Sequence, residues 1–417
     1  MGALRACPAC GHGPAEHVHT LALRTPDGHP LQGGYDVVSC ARCGTGYADA
    51  AVDQAVYDRY YAERAKYAAD AATVHGAPTE PAWVTARFDE AASRIAAFVP
   101  RDGRVVDIGC STGSLLAALR RRGYGDVVGV DPSPACAEDA WRLHAVPVHV
   151  GTLRHLPQGI GTFDCVCLTG VLEHVWDTDG AMAAITSLLR PGGAVYVEVP
   201  DASRYLDPFI SPFEDFHTEH VNHFSAATLE ALGARHGLTT VWSGAADNDI
   251  VPGATAAVAA VCWRRGAGAP PERRDEALVR SLRAFTERSA EAWAHMDARL
   301  RADLGGSERF VLWGIGELSM KLLAGTVLAE RAPSALVDGN PARHGLRFGG
   351  VEVRPPAALE PGAGPIVIGS FLRTASIRAS IEALGVAGPV VTLSAPWAGR
   401  RWDDGCPRAA TQEVLQR

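Results

Sequence analysis

Lysine is almost missing from this 417-residue chain: Lys66 and Lys321 are the only two, and the other 37 basic residues are arginines. That skew, with abundant Ala and Gly, is a signature of genome composition rather than of mechanism. Positive charge is also in deficit. Against 39 basic residues stand 47 acidic ones, a net charge of −8. This excludes a protein that grips nucleic acid through a generally basic surface, although a local basic groove is still allowed. No run of about 18 apolar residues is present, so no membrane-spanning helix is expected. The apolar stretch Val251–Cys262 is too short, and Pro252 and Gly253 interrupt its start. The first residues lack the apolar core of a secretory signal. Position 6 is Ala, not Ser or Thr, so the myristoylation pattern fails. A cytoplasmic protein is expected. What remains is ordinary: 47% hydrophobic residues rule out wholesale disorder, and the length suits two or three domains.

Ten cysteines without an export signal do not read as a disulfide framework. Four of them form a pattern: Cys7-Pro-Ala-Cys10, then 29 residues, then Cys40-Ala-Arg-Cys43. A two-residue spacer lets both thiolates of a pair face one ion, and two such knuckles close a tetrahedral Zn2+ site. Gly11 and Gly44 follow the knuckles, where a tight turn suits backbone approaching a metal. Four thiolates leave no open position, so such a site is structural; buried or redox cysteines are the plainer alternative. His12, His17, His19 and His29 lie between the knuckles and are expected on the surface of the ribbon. Cys165 and Cys167 alternate on an apolar run and read as core. Beyond the ribbon, Tyr57, Tyr60, Tyr61 and Tyr67 punctuate a helical stretch that either docks the ribbon or reaches a ligand.

From residue 104 strands and helices alternate. Val105–Gly109 runs into Gly109-Cys-Ser-Thr-Gly113 and a helix over Leu115–Arg122. Val127–Asp131, Pro147–Val150, Phe163–Leu168 and Ala194–Val199 are further strands, the last introduced by the turn Arg190-Pro-Gly-Gly193. Such alternation implies an α/β domain with a parallel sheet, whose ligands bind at the carboxyl ends of the strands. Position 111 is Ser, so the glycine turn is not the dinucleotide fingerprint. Asp131 lies 22 residues after Gly109, and a carboxylate there can accept both hydroxyls of a ribose.

Five elements in order, Asp107-Ile-Gly-Cys-Ser-Thr-Gly113, Val130-Asp-Pro-Ser133, Phe163-Asp-Cys-Val166, Val171-Leu-Glu-His-Val175 and Leu189-Arg-Pro-Gly-Gly193, resemble class I S-adenosylmethionine-dependent methyltransferases over roughly residues 85–245. The resemblance implies that Asp107, Gly109 and Gly113 face the methionine part of the cofactor and that Asp131 holds its ribose. Many relatives carry Asp after strand three to meet the adenine; here Thr152 stands there, with the backbone of Leu153 beside it. Thr169 and Tyr67 are further candidates for the same pocket.

Two segments can supply a proton acceptor. One is Glu173-His174, which many methyltransferases carry as pocket structure. The other is Phe213–Ser225, where Glu214, Asp215, His217, Glu219, His220 and His223 crowd together. Imidazole beside carboxylate suits a general base near neutral pH; the plainer reading is a polar insertion with hydrogen-bonded histidines. With a four-Cys ribbon in front and a third domain behind, the whole chain resembles the zinc-ribbon C-methyltransferases of nucleotide-linked deoxysugars in antibiotic biosynthesis. That resemblance implies that His220 removes a proton from the carbon beside a ketone and that Glu219 orients it. His174 would help stabilise the enolate oxygen. His217 stands where the group often has Tyr, and Lys66-Tyr67 also departs from the group. The implied acceptor is a small molecule, a nucleotide-linked ketosugar, with no nucleic acid or membrane as partner.

Gly266–Pro271 marks a linker. Leu278, Leu282, Phe285, Trp293, Met296, Leu300 and Leu304 then recur at helical spacing with one gap. Arg309–Trp313, Gly314-Ile-Gly316, Leu336-Val-Asp338 and Ile366–Ile368 repeat the strand–turn pattern. The expected organisation is thus a zinc ribbon with connecting helix over 1–70, a Rossmann-like methyltransferase core over 71–265 and a helical linker with a second Rossmann-like domain over 266–417. That last domain binds the acceptor's nucleotide, binds a dinucleotide or serves packing. Oxygen or nitrogen methylation of another small acceptor, RNA methylation, and a non-enzymatic S-adenosylmethionine sensor are the competing functions. The sequence leaves the oligomeric state open.

Overall fold

The computed structural model describes residues 4–52, 54–57, 59, 80–207, 209–251, 254–268, 273–360 and 362–393. Tyr60, Tyr61, Lys66, Tyr67 and the tail 402–417 lie outside the described residues. Strands β1 (Ala15–Leu23), β2 (Gly33–Cys40) and β3 (Gly46–Asp49) form an antiparallel ribbon at the N-terminus. One cysteine knuckle precedes β1 and the other forms the turn between β2 and β3.

The central sheet is built from β4 (Val105–Ile108), β5 (Val127–Asp131), β6 (Val148–Val150), β7 (Phe163–Thr169) and β8 (Leu189–Pro200). Helices α1 (Ala82–Ala96), α2 (Ser114–Arg121), α3 (Pro134–His144) and α4 (Thr178–Ser187) alternate with them. A two-residue strand, β9 (Asn222–His223), precedes α5 (Ala226–Arg235). The long hairpin β10 (Leu238–Val251) and β11 (Ala254–Arg265) closes the domain. The order is β10-β11-β8-β7-β4-β5-β6. Five strands are parallel as expected; the hairpin joins β8 antiparallel, so the sheet is mixed. Strands β4, β5 and β7 are short and almost wholly buried, as both faces are covered.

β9 does not join this sheet. It pairs with β3, Gly46 opposite His223 and Tyr47 opposite Asn222, and becomes the fourth strand of the ribbon. The chain immediately after Glu219-His220 is thereby pinned to the N-terminal ribbon.

Helix α6 (Glu276–Leu304) spans 29 residues and is capped by Asp275, whose carboxylate accepts the amide of Leu278. Its apolar stripe is buried, and the gap in that stripe is Ser289, itself fully buried. The Ser289 hydroxyl accepts the amide of Phe213 at 3.0 Å. Beyond α6 lies the third sheet: β12 (Arg309–Trp313), β13 (Ala332–Val337), β14 (Arg347–Phe348), β15 (Val351–Arg354), β16 (Ile366–Ile368) and β17 (Val390–Thr392), with α7 (Glu317–Gly325) and α8 (Thr374–Ala383). The order is β14-β15-β13-β12-β16-β17, and only β14 runs antiparallel.

One hydrophobic core runs from ribbon residues Leu21 and Val37 through Phe213 and Phe216 to α6 and to Phe310 and Leu312 of β12. Phe285 of α6 sits at its centre, with ring centroids 5.3 Å from Tyr205 and 5.2 Å from Phe216. Among the described residues no helix is long and apolar enough to cross a membrane. Phe285→Ala opens a cavity where the units meet and is expected to cost about 3–5 kcal/mol. Urea denaturation followed by tryptophan fluorescence measures that loss.

Candidate active site

The first strand–helix turn makes a close backbone surface. Gly109 and Gly113 have φ of +72° and +79°. A Cβ on Gly109 would stand 2.7 Å from Val171 Cγ2, and one on Gly113 would stand 2.6 Å from Val146 Cγ2. Side chains are therefore excluded at both positions. Asp131 ends β5 and holds the turn: Oδ2 accepts the amide of Ser111 at 2.8 Å and Oδ1 that of Ser133 at 2.9 Å. Burial raises its pKa and these amides oppose the rise. Asp107 is 1% exposed, and burial followed by the nearby Asp131 pushes its pKa well up. Its Oδ1 is buried with no hydrogen-bond partner among the described residues.

A buried carboxylate oxygen without a donor is costly, and an ammonium group supplies one. The turn, Asp107 and Asp131 therefore fit the amino acid and ribose parts of S-adenosylmethionine. Thr152 and Leu153 follow β6 directly; the Thr152 hydroxyl accepts the amide of His155 at 3.1 Å. Thr169 is the last residue of β7. Tyr67 falls outside the described residues.

Val171, which covers Gly109, leads into a short helix, Leu172–His174. His174 Nδ1 donates to the carbonyl of Glu219 at 3.0 Å. The His174 and His220 rings lie edge to face with centroids 4.9 Å apart, and the His217 and His220 centroids are 3.9 Å apart. His217 Nδ1 accepts the amides of Glu219 at 3.2 Å and His220 at 3.4 Å. In the neutral His217 ring the proton is then on Nε2. By the same logic the neutral His174 ring keeps its lone pair on Nε2, which lies 3.9 Å from Glu173 Oε1. The rings of His174, His217 and His220 thus meet in one place, around the backbone of Glu219.

The crowd of acids and histidines divides. His223 is fully buried in β9; burial lowers its pKa to about 3, and the Tyr205 hydroxyl lies 2.9 Å from its Nδ1. It is ribbon core. Burial, with Glu214 adding and Lys321 opposing, pushes the Asp215 carboxyl up to about 7. Glu214 is exposed. Two of the four ribbon histidines depart from expectation; His17 is exposed as expected. His19 stacks on Phe213 with centroids 4.4 Å apart, and burial lowers its pKa to about 4. His29 is buried. The aromatic segment folded back onto the ribbon covers His19.

His217 and Glu219 line a cleft of about 1440 Å³. Its far wall is the carboxyl end of the third sheet, with Gly314, Gly316 and Asp338. Asp338 repeats the arrangement at Asp131: it accepts the amides of Ile315 at 2.7 Å and Asn340 at 2.7 Å, and adds an ion pair to Arg343 at 3.0 Å.

In the ribbon the Cys7 and Cys43 sulfurs are 3.5 Å apart and those of Cys10 and Cys40 3.6 Å apart. This is too long for disulfides and close to the edge of a tetrahedron with arms of about 2.3 Å. All four sulfurs lie within 4.8 Å of one another. The cluster is compatible with zinc.

One buried group was not singled out by the sequence. Glu198 of β8 is 1% exposed and is met by Arg94 at 3.2 Å, Asn248 at 2.8 Å and the Tyr196 hydroxyl at 3.1 Å. An acid within the apolar run Ala194–Val199 was its only signal. Glu173, which the sequence did offer as a proton acceptor, is also buried: burial lifts its pKa to about 8, Glu198 adds to the rise and Arg87 opposes it.

Residues 82–243 match the model of the methyltransferase domain, and the chain carries that domain. Over 104 residues it is 36% identical to the ubiquinone biosynthesis O-methyltransferase of Methylocella silvestris, covering 23% of this chain and 40% of that protein. Over 102 residues it is 37% identical to a protein encoded in transposon TN4556 of Streptomyces fradiae, covering 23% of this chain and 30% of that protein. The chain thus spans less than half the length of these curated relatives. Among solved structures it is similar to the 1,6-didemethyltoxoflavin-N1-methyltransferase of Burkholderia thailandensis, with 20% identity and a TM-score of 0.41 over 54% of this chain and 97% of that one. Its central fold is the mixed α/β, Rossmann-like methyltransferase fold.

The raised pKa of Glu173 has a consequence for stability. The folded chain keeps a proton that the unfolded chain releases near its ordinary value of 4.5. This contribution is full below about pH 4.5 and is lost as pH rises through about 8. Glu173→Gln should therefore gain stability relative to the parent progressively over that range. Urea midpoints across the range test it; a constant difference would contradict the assignment.

Proposed function

We propose that the chain is an S-adenosylmethionine-dependent methyltransferase that methylates the carbon next to the ketone of a nucleotide-linked sugar. The meeting of the His174, His217 and His220 rings beside a cleft lined by His217 and Glu219 carries the reading. The cofactor, when bound, supplies an electrophilic methyl group on a sulfonium. Asp107 holds its ammonium, Asp131 its ribose hydroxyls, and the backbone of Gly109 and Gly113 lies against it. Thr152, Leu153 and Thr169 complete the pocket, and Tyr67 is a further candidate on the sequence alone.

His220 takes the carbon-bound proton of the acceptor, and the Glu219 carboxylate orients and tunes the ring. The charge that develops on the ketone oxygen is met by His217, whose neutral ring carries its proton on Nε2 while Nδ1 accepts two amides. His174 then positions rather than donates, because its Nδ1–H is engaged by the Glu219 carbonyl. Phe213 and Phe216, both buried, keep water from the base. The third sheet receives the nucleotide through the Gly314 turn and Asp338. Zinc, held by Cys7, Cys10, Cys40 and Cys43, is structural, since four thiolates leave no open position. The division into domains over 1–70, 71–265 and 266–417 belongs to the same reading.

The similarity to a protein named as an O-methyltransferase favours oxygen methylation of another small acceptor as the second reading. A mass-spectrometric screen of nucleotide-linked ketosugars separates the two: deuterium at the α-carbon is lost in carbon transfer and kept in oxygen transfer.

His220→Gln is expected to lower turnover by about 10²–10⁴-fold, with cofactor affinity by calorimetry unchanged. Equal turnover in the variant would remove His220 from the mechanism. Cys40→Ser, or prolonged chelation, should release one zinc per chain by elemental analysis and lower the melting temperature; a metal-free parent with an unaltered melt would refute the structural role.

A further inference from the structure

The segment carrying Glu219 and His220 is held from the side of the third sheet by one face of α7. Glu317, its first residue, accepts the amide of Thr218 through Oε2 at 3.1 Å. Its Oε1 accepts the Thr218 hydroxyl. A carboxylate in a first turn is also favoured by the helix dipole, so one charge serves the helix and the segment together. One turn further, Lys321, 3% exposed, donates from Nζ to the carbonyl of Phe213. Residues four apart share a helix face. The pair therefore grips both ends of the span from Phe213 to Thr218.

The span needs such a grip. Phe213 has φ of +54°, a left-handed conformation that a bulky side chain rarely adopts. Strain of this kind persists only where the surroundings over-determine it. Phe213 is fixed at its amide by Ser289, at its carbonyl by Lys321 and on its ring by His19. Thr218 is fixed at its amide and hydroxyl by Glu317 and at its carbonyl by the Tyr57 hydroxyl at 3.0 Å. The next two residues are Glu219 and His220.

We infer that Glu317 and Lys321 are positioning residues: the third sheet sets, through α7, where the base of the central domain stands. The catalytic consequence rests on the role proposed for His220; the grip itself does not. The test uses the full-length protein and three variants: Glu317→Ala, the near-isosteric Thr218→Val, and Thr218→Ser, which keeps the hydroxyl.

Amide hydrogen exchange over 214–221 should accelerate by about tenfold or more in the first two, the scale of one lost charged hydrogen bond. Exchange over 105–131 and the affinity for S-adenosylmethionine should not move. Thr218→Ser should keep parental protection. With a ketosugar identified in the screen, kcat should fall by a similar factor at constant KM for the cofactor. Unchanged exchange in both Glu317→Ala and Thr218→Val overturns the grip. Faster exchange with parental kcat overturns its catalytic purpose. If the parent turns over no ketosugar while the segment loosens in the variants, the acceptor reading falls and the grip stands.

Discussion

A buried stretch of backbone must have its amides and carbonyls paired, and the stretch from Phe213 to His223 meets that demand with groups from every part of the molecule. The Tyr35 hydroxyl of the ribbon donates to the His217 carbonyl at 2.9 Å. Glu317 and Lys321 come from the third sheet's helix, Ser289 from α6 and His174 from the central domain. The Val221 amide donates to Glu173 and its carbonyl accepts from Ala48 of β3. The segment is irregular, so no helix or sheet ladder could satisfy it alone. Its position is consequently a joint property of three units, and the chemistry on it inherits that dependence.

The same constraint explains the ribbon. Its sulfurs close a compact cluster, yet the sheet beside them is completed by β9, the strand that follows His220. The ribbon is therefore a wall against which the segment docks. Asn222 reinforces this junction, its side-chain amide donating to the carbonyls of Leu172 at 2.8 Å and Val175 at 2.7 Å. These bonds tie β9 to the turn that carries Glu173 and His174.

Two acidic strand ends, Asp131 and Asp338, use the same local device of a carboxylate bonded to loop amides. They differ in what stands beside them. Arg343 neutralises Asp338 at 3.0 Å, whereas Asp131 has the buried Asp107 as neighbour. One turn suits a cationic ligand and the other does not, although their strand–turn patterns look alike.

Much of this was legible in the chain itself. Short apolar runs alternating with amphipathic ones specify the two open sheets, because buried parallel strands need continuous hydrophobicity. Paired Cys-Xaa-Xaa-Cys knuckles specify their own cluster, since ligand spacing is local. The density of His and Glu after β8 marked the segment on which the proposed base stands. What periodicity could not reveal is every relation between residues far apart in sequence. Ser289 read as a gap in an apolar stripe, and only packing shows it as the acceptor for Phe213. His19 and His29 read as surface residues, yet Phe213 stacks on His19 and His29 is buried. Glu317 lies 99 residues from Thr218, and no local pattern joins the two. Local patterns fix which elements form; where buried polar groups find their partners is settled only when the elements close around them, because burial and pairing belong to the assembled interior and to no single stretch of chain.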